Sequence, residues 1–160
     1  LVLGLSVREN ATLANLSAHA RAGVINQKQQ MAVVQREIDR MHIRTRDAEL
    51  EVKSLSGGNQ QKVVFAKWLG IAPKVLFLDE PTRGVDVGAK ANIYGLLRAF
   101  VEQGGAVLAL SSDLLELIGL CDRILMVRGG RIVGDVVAAT ATEESLLALA
   151  LSDARTEVQT

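Results

Sequence analysis

Apolar residues fall into two regimes along the chain. Between Ser6 and about Val52 they are sparse: Met31, Val34, Ile38 and Met41 recur at three- and four-residue steps among Gln, Arg and Glu. That spacing sets one face of a helix against a core. A shorter helix is expected from about Val7 to Leu16, with Gly23 separating the two. Arg36, Arg40, Arg44 and Arg46 read as a solvated face of the longer helix. Further on the apolar runs become continuous. Ser54 to Ala72 predicts a loop and then a helix, closed by Pro73, which cannot continue it. Val75 to Leu78 reads as a strand buried on both faces of a parallel sheet. A helix from about Gly88 to Glu102, a turn at Gly104-Gly105 and a second buried strand from Ala106 to Leu110 complete a strand–helix–strand unit. After Ser111-Ser112-Asp113 come a short helix to about Gly119 and a hairpin of Arg123–Val127 and Arg131–Val136 around Gly129-Gly130. Thr142-Glu143-Glu144 caps a last amphipathic helix to about Leu151, and the tail from Ser152 is expected to fray. The pattern is α/β with a helical appendage at its N-terminal end.

Composition narrows the partners. The chain has 160 residues, 49% of them hydrophobic, enough for one domain with a sizeable core. Eighteen basic residues balance eighteen acidic ones, which removes any global electrostatic case for nucleic acid or an anionic membrane surface. Phosphate binding must then be local. The single cysteine, Cys121, excludes an internal disulfide and fits a reducing compartment. No apolar run approaches the roughly 20 residues that span a bilayer. The sequence opens on Leu1 without a signal segment and reads as a trimmed piece of a longer chain. His19 and His42 read as surface or satisfied structural residues, and neither is a metal-ligand candidate.

Two motifs carry the chemistry. In Leu55-Ser56-Gly57-Gly58-Asn59-Gln60-Gln61-Lys62, a serine and two glycines open a helix, where free backbone N–H groups and the helix dipole favour a phosphate. Ser56 offers a hydroxyl and an N-cap, and the glycines let a phosphate approach the backbone. In Val75-Leu76-Phe77-Leu78-Asp79-Glu80-Pro81-Thr82, an apolar strand ends in two carboxylates, at the end of the strand where open α/β sheets place ligands. Adjacent strand residues point in opposite directions, so the two carboxylates take different tasks. Asp79 would hold magnesium, largely through water, and Glu80 would orient or deprotonate an attacking water. The G-x-x-x-x-G-K-[ST] loop that holds a nucleotide in such proteins occurs nowhere in the chain.

These residues resemble the nucleotide-binding domain of ABC transporters, with Leu55 to Gln60 as its signature motif and Val75 to Glu80 as its Walker B strand. Asn59-Gln60-Gln61-Lys62, Pro81-Thr82-Arg83-Gly84-Val85-Asp86-Val87-Gly88-Ala89-Lys90 and Ser111-Ser112-Asp113 are similar to the second ATPase half of bacterial monosaccharide importers. The resemblance covers Leu1 to about Leu151. It implies a partial P-loop NTPase (RecA-like) parallel sheet with an N-terminal α-helical subdomain. The helical subdomain with the signature would occupy about residues 6–72, part of the ATPase core about 73–151, and a tail 152–160. It further implies ATP and Mg2+ as ligands, with Ser56, Gly57, Gly58 and Gln60 reaching a nucleotide held by another ATPase domain. Asp86 would lie in the loop crossing that dimer interface, Glu80 would be catalytic, and Asp79 would serve the metal. Ser112 stands where most members carry a histidine on the γ-phosphate.

Transmembrane permease subunits are the implied partners, with a periplasmic sugar-binding protein acting indirectly, at the cytoplasmic face of a bacterial inner membrane. The missing strand of the family's sheet lies between those ending at Leu110 and starting at Arg123, so an exposed gap and self-association are expected. The reading that results is an ATP-hydrolysing component of a sugar importer, inactive as this fragment. The alternative is a stand-alone interaction module that completes or regulates the nucleotide site of a partner ATPase. Repair or translation ATPases of the same class carry coiled-coil arms or basic inserts, which this neutral chain lacks.

Overall fold

A capping box begins the first helix. In the computed structural model, which describes residues 1–151, the Ser6 hydroxyl accepts from Glu9 N at 3.1 Å while Glu9 Oε2 accepts from Ser6 N at 2.8 Å. Helix α1 spans Val7–Thr12 and continues as 3₁₀ turns over Leu13–His19. Fully buried Asn10 pins the entering chain, its Oδ1 accepting from Val2 N and its Nδ2 donating to the Val2 carbonyl. Gly23 does more than separate helices. Strands β1 (Ala20–Arg21) and β2 (Val24–Ile25) pair around Ala22 and Gly23, both at positive φ (50° and 80°), a tight hairpin absent from the sequence reading.

Helix α2, Gln27–Met41, is capped by Asn26, whose side chain accepts from Gln29 N. Its buried face is Gln30, Val34, Ile38 and Met41, so Gln30 rather than the half-buried Met31 takes the first core position. Gln30 is tolerated there because its Nε2 donates to Thr12 Oγ1 at 2.5 Å and its Oε1 accepts from Arg8. The helix ends well before Val52, with His42 in the left-handed conformation. Arg44 and Arg46 therefore lie beyond it, and the four arginines do not share a helix face.

Helix α3 spans Gly57–Leu69, strand β3 Val75–Asp79, helix α4 Val87–Glu102 and strand β4 Ala106–Leu110. The buried faces of α1, α2 and α3 supply Val7, Val34, Met41, Val63 and Ala66, and Val52 joins them in the core. Strands β3 and β4 form a two-stranded sheet. Bonds from Ala106 N to the Lys74 carbonyl and from Glu80 N to the Leu110 carbonyl join their starts and their ends, so they run parallel. The strands are not buried on both faces as expected. Leu76 is covered, whereas Phe77 is 73% exposed and Val75, Leu108 and Leu110 also face outward, because among the described residues nothing packs on that side.

Helix α5 (Leu114–Leu120) begins at Asp113, whose Oδ1 accepts from Glu116 N at 3.1 Å. Strands β5 (Arg123–Arg128) and β6 (Arg131–Val137) make the expected antiparallel hairpin, with a bulge between Met126 and Val127. β4 pairs with β3 and β5 with β6, in separate sheets, so the interruption expected between Leu110 and Arg123 is present. Helix α6 spans Glu143–Leu151. Thr142 caps it as expected, but the reciprocal partner is Ser145, whose N donates to Thr142 Oγ1 and whose Oγ accepts from Thr142 N. The tail from Ser152, expected to fray, lies outside the described residues.

The chain divides into two compact units, one of Leu1–Leu76 with Pro81–Leu108, the other of Phe77–Glu80 with the chain from Ala109 onward. Leu117, Ile124, Ala138 and fully buried Leu146 form the core of the second. Leu146→Ala should lower the unfolding free energy by about 2–5 kcal/mol, measured by urea denaturation. A loss under about 1 kcal/mol would show that this core does not hold α6.

Candidate functional site

Ser56 occupies the N-cap position of α3 in extended conformation, yet its hydroxyl does not cap the helix as expected. It accepts instead from Asn59 Nδ2 at 2.9 Å. Asn59 Oδ1 in turn accepts from the main-chain N–H of Arg44 at 2.8 Å, tying the turn to the segment after α2. Gln60, expected to reach a nucleotide, folds its Nε2 back onto the Leu55 carbonyl at 2.9 Å. Gln61 Nε2 donates to the Pro81 carbonyl at 2.9 Å, and Lys62 Nζ to the His42 carbonyl at 2.9 Å. Burial pushes the Lys62 ammonium below the usual lysine range, and the charge of Arg44 adds to the effect while Asp86 opposes it.

The two glycines differ. Gly57 is exposed, and a Cβ there would meet only the Gly84 carbonyl at 3.8 Å. Gly58 is buried, and a Cβ would stand 3.0 Å from Ala89 Cβ and 3.6 Å from Val85 Cγ1. Gly58 is thus required by the close approach of α4, and Gly57 leaves the turn open outward. Asp86 caps α4, its Oδ1 accepting from Ala89 N at 2.9 Å, and its Oδ2 lies 3.8 Å from the Cβ position of Gly58.

The carboxylates belong to the second unit. Asp79 is exposed at the end of β3. Glu80 follows it at φ 47°, left-handed backbone that costs a non-glycine residue about 1–3 kcal/mol. A turn, and not the alternation of a strand, therefore sets the two carboxylates apart. Two bonds hold the conformation: Glu80 N donates to the Leu110 carbonyl at 2.8 Å, and Glu80 Oε1 accepts from Ser112 N at 2.9 Å. Ser112 thus meets Glu80 through its main chain. The loop is fixed by Ser111, whose Oγ donates to buried Glu116 Oε2 at 2.5 Å and accepts from Asp113 N at 3.1 Å.

Among the described residues no group of three or more His, Cys, Asp or Glu side chains could hold a metal. Asp79 is exposed at the strand end, and an ion meeting it there would have to take its other ligands from water or phosphate. His19 departs from expectation: it is 6% exposed, and its Nδ1 has no hydrogen-bond partner. No described helix is long and apolar enough to cross a membrane. From sequence alone, Asn59, Gln61 and Lys62 are no more than letters of a motif, Arg44 is a solvated charge and Glu116 carries no signal. Four amide or charged side chains in one helical turn, Asn59 to Lys62, were the available signal.

The family model described as ABC transporter matches residues 1–83, and the chain belongs to that family. The chain is 53% identical over 154 residues to the ribose import ATP-binding protein RbsA of Chromobacterium violaceum, covering 96% of this chain and 31% of that one. It is 51% identical to the protein of the same name from Bacillus subtilis, covering 94% of this chain and 30% of that one. It thus spans about a third of the length of these relatives. Among solved structures it is similar to a metal-chelate type ABC transporter in an inward-facing conformation, with TM-score 0.75, 22% identity and coverage of 93% and 60%. It is likewise similar to a dimeric ATP-binding cassette in a post-hydrolysis state bound to ADP and Pi, with TM-score 0.73, 24% identity and coverage of 86% and 59%. These two likenesses show the fold, α/β of the P-loop NTPase type.

The glycines yield a paired prediction. Gly57→Ala should leave stability unchanged or raise it by up to about 1 kcal/mol, whereas Gly58→Ala should lie at least about 1 kcal/mol below it, as overpacking against Ala89 dictates. Thermal unfolding of the two variants checks this, and equal midpoints would contradict the contact.

Proposed function

We propose that this chain is the signature-bearing part of an ATP-hydrolysing subunit that drives import of a monosaccharide such as ribose. The observation that carries the reading is the Glu80 carboxylate, turned off the end of a parallel strand and fastened by the Ser112 main-chain N–H. A carboxylate so held can accept a proton from an attacking water, a role worth roughly 10²–10⁴ in rate. Asp79 beside it would meet a magnesium ion through water, and the ion would supply charge neutralisation on the phosphates. Ser56, Gly57 and Gly58 would present a hydroxyl and helix-start N–H groups to a terminal phosphate held by another ATPase domain, with Gln60 steadying the turn through its bond to Leu55. Asp86 would lie at that interface. Residues of about 6–72 would form the helical subdomain that meets a permease at the membrane's cytoplasmic face, and about 73–151 part of the ATPase core. Identity near 50% to ribose import ATP-binding proteins over almost the whole chain supports the sugar-import assignment.

Two measurements test this. Calorimetric titration of magnesium-ATP into the 160-residue chain should show no saturable binding below about millimolar, because no P-loop motif is in its sequence; tight binding would instead make the chain a nucleotide module in its own right. In the full-length subunit assembled with its permease, Glu80→Gln should cut ATP turnover by about 10²-fold or more while leaving nucleotide binding near the parent value. Undiminished turnover would remove Glu80 from the catalytic role.

A further inference from the structure

The hydrogen bonds around Asn59 have a fixed polarity. The Arg44 main-chain N–H can only donate, so the Asn59 amide that receives it at 2.8 Å must turn Oδ1 toward Arg44 and Nδ2 toward Ser56. Nδ2 can likewise only donate, so Ser56 Oγ, 2.9 Å away, accepts. The single hydroxyl proton of Ser56 is left over for another acceptor, on an exposed side chain at the start of α3. Asn59 itself is half-buried and held at both ends, which makes it a rigid reference for the hydroxyl.

We infer that Asn59 is a positioning residue that presets Ser56 as a hydrogen-bond donor, matching the turn to an acceptor-only oxygen such as that of an ionised terminal phosphate. The inference deepens the proposed function and rests on its reading of Ser56. Orientation is read from the segment after α2, so Arg44 contributes through its backbone while its side chain is free to vary.

Asn59→Asp inverts the polarity at nearly constant shape. One carboxylate oxygen still accepts from Arg44 N, and the other can only accept, which draws the Ser56 proton inward and away from the ligand. In steady-state ATPase assays of the full-length subunit with its permease, kcat/KM for magnesium-ATP should fall about 10- to 100-fold, the loss of one charge-assisted hydrogen bond. Asn59→Ala, which only frees the hydroxyl to rotate, should lose less, and Ser56→Ala should lose about as much as Asn59→Asp. The double variant Ser56→Ala/Asn59→Asp should be no worse than Ser56→Ala alone, since the added carboxylate acts through the hydroxyl.

Losses that multiply in the double variant would mean direct repulsion of phosphate or a purely structural role, and would overturn the inference. Asn59→Ala as damaging as Asn59→Asp, or either Asn59 variant matching the parent, would overturn it equally. Ser56→Ala with parent activity would instead overturn the reading of Ser56 on which the inference stands.

Discussion

Lys62 Nζ, withdrawn from water inside α3, donates to the His42 carbonyl, and much of the first unit follows from that bond. An ammonium in a core without an acceptor costs several kcal/mol, so a carbonyl has to be delivered to it. Delivery requires α2 to stop at Met41 and His42 to take the left-handed conformation, from which Ile43 N folds back on the Ile38 carbonyl at 2.9 Å. Two residues later the chain brings the Arg44 N–H against Asn59, three positions before Lys62 on the same helix. The end of one helix and the polar turn opening the next are therefore a single construction, anchored by one buried charge.

The second unit solves a different problem, holding a carboxylate in strained backbone. Left-handed geometry at Glu80 persists because the Leu110 carbonyl and the Ser112 N–H engage its main chain and side chain together. The contact from position 112 is a backbone one, and any residue other than proline can supply it. Exchanging the Ser112 side chain therefore costs nothing in holding Glu80. The loop's own fixture, Ser111 on buried Glu116, is independent of that exchange.

What could be read in advance divides by range. The helices around Val34, Ile38 and Met41, the strand to Asp79, the Gly129-Gly130 hairpin and the Thr142 cap are local patterns of spacing and turn chemistry, and they stand close to where the sequence put them. The hairpin at Ala22-Gly23 was missed because its strands are two residues each and alanine is not a usual left-handed turn former. Val75 to Leu78 could not reveal which face is covered, since an unbroken apolar run carries no alternation to read. The site residues were legible by type, but their connections were not. Nothing in Asn59 or Arg44 alone announces that a main-chain N–H fifteen positions upstream will orient an amide, because that meeting depends on how α2 ends.

The partition of the chain has a consequence for how it can be taken apart. Phe77–Glu80 belong by their contacts with the residues from Ala109 onward, although in sequence they are embedded between segments of the other unit. No single cut, and no single recombination crossover, can pass on the second unit with its carboxylates and nothing of the first. A breakpoint after Leu108 leaves Asp79 and Glu80 behind, and one before Phe77 carries Pro81–Leu108 along as a severed piece of the first unit. The strand end with Asp79 and Glu80 and the loop that holds it are thus inherited together only when everything between them is inherited too, which ties the evolutionary fate of α4 to that of carboxylates it does not build.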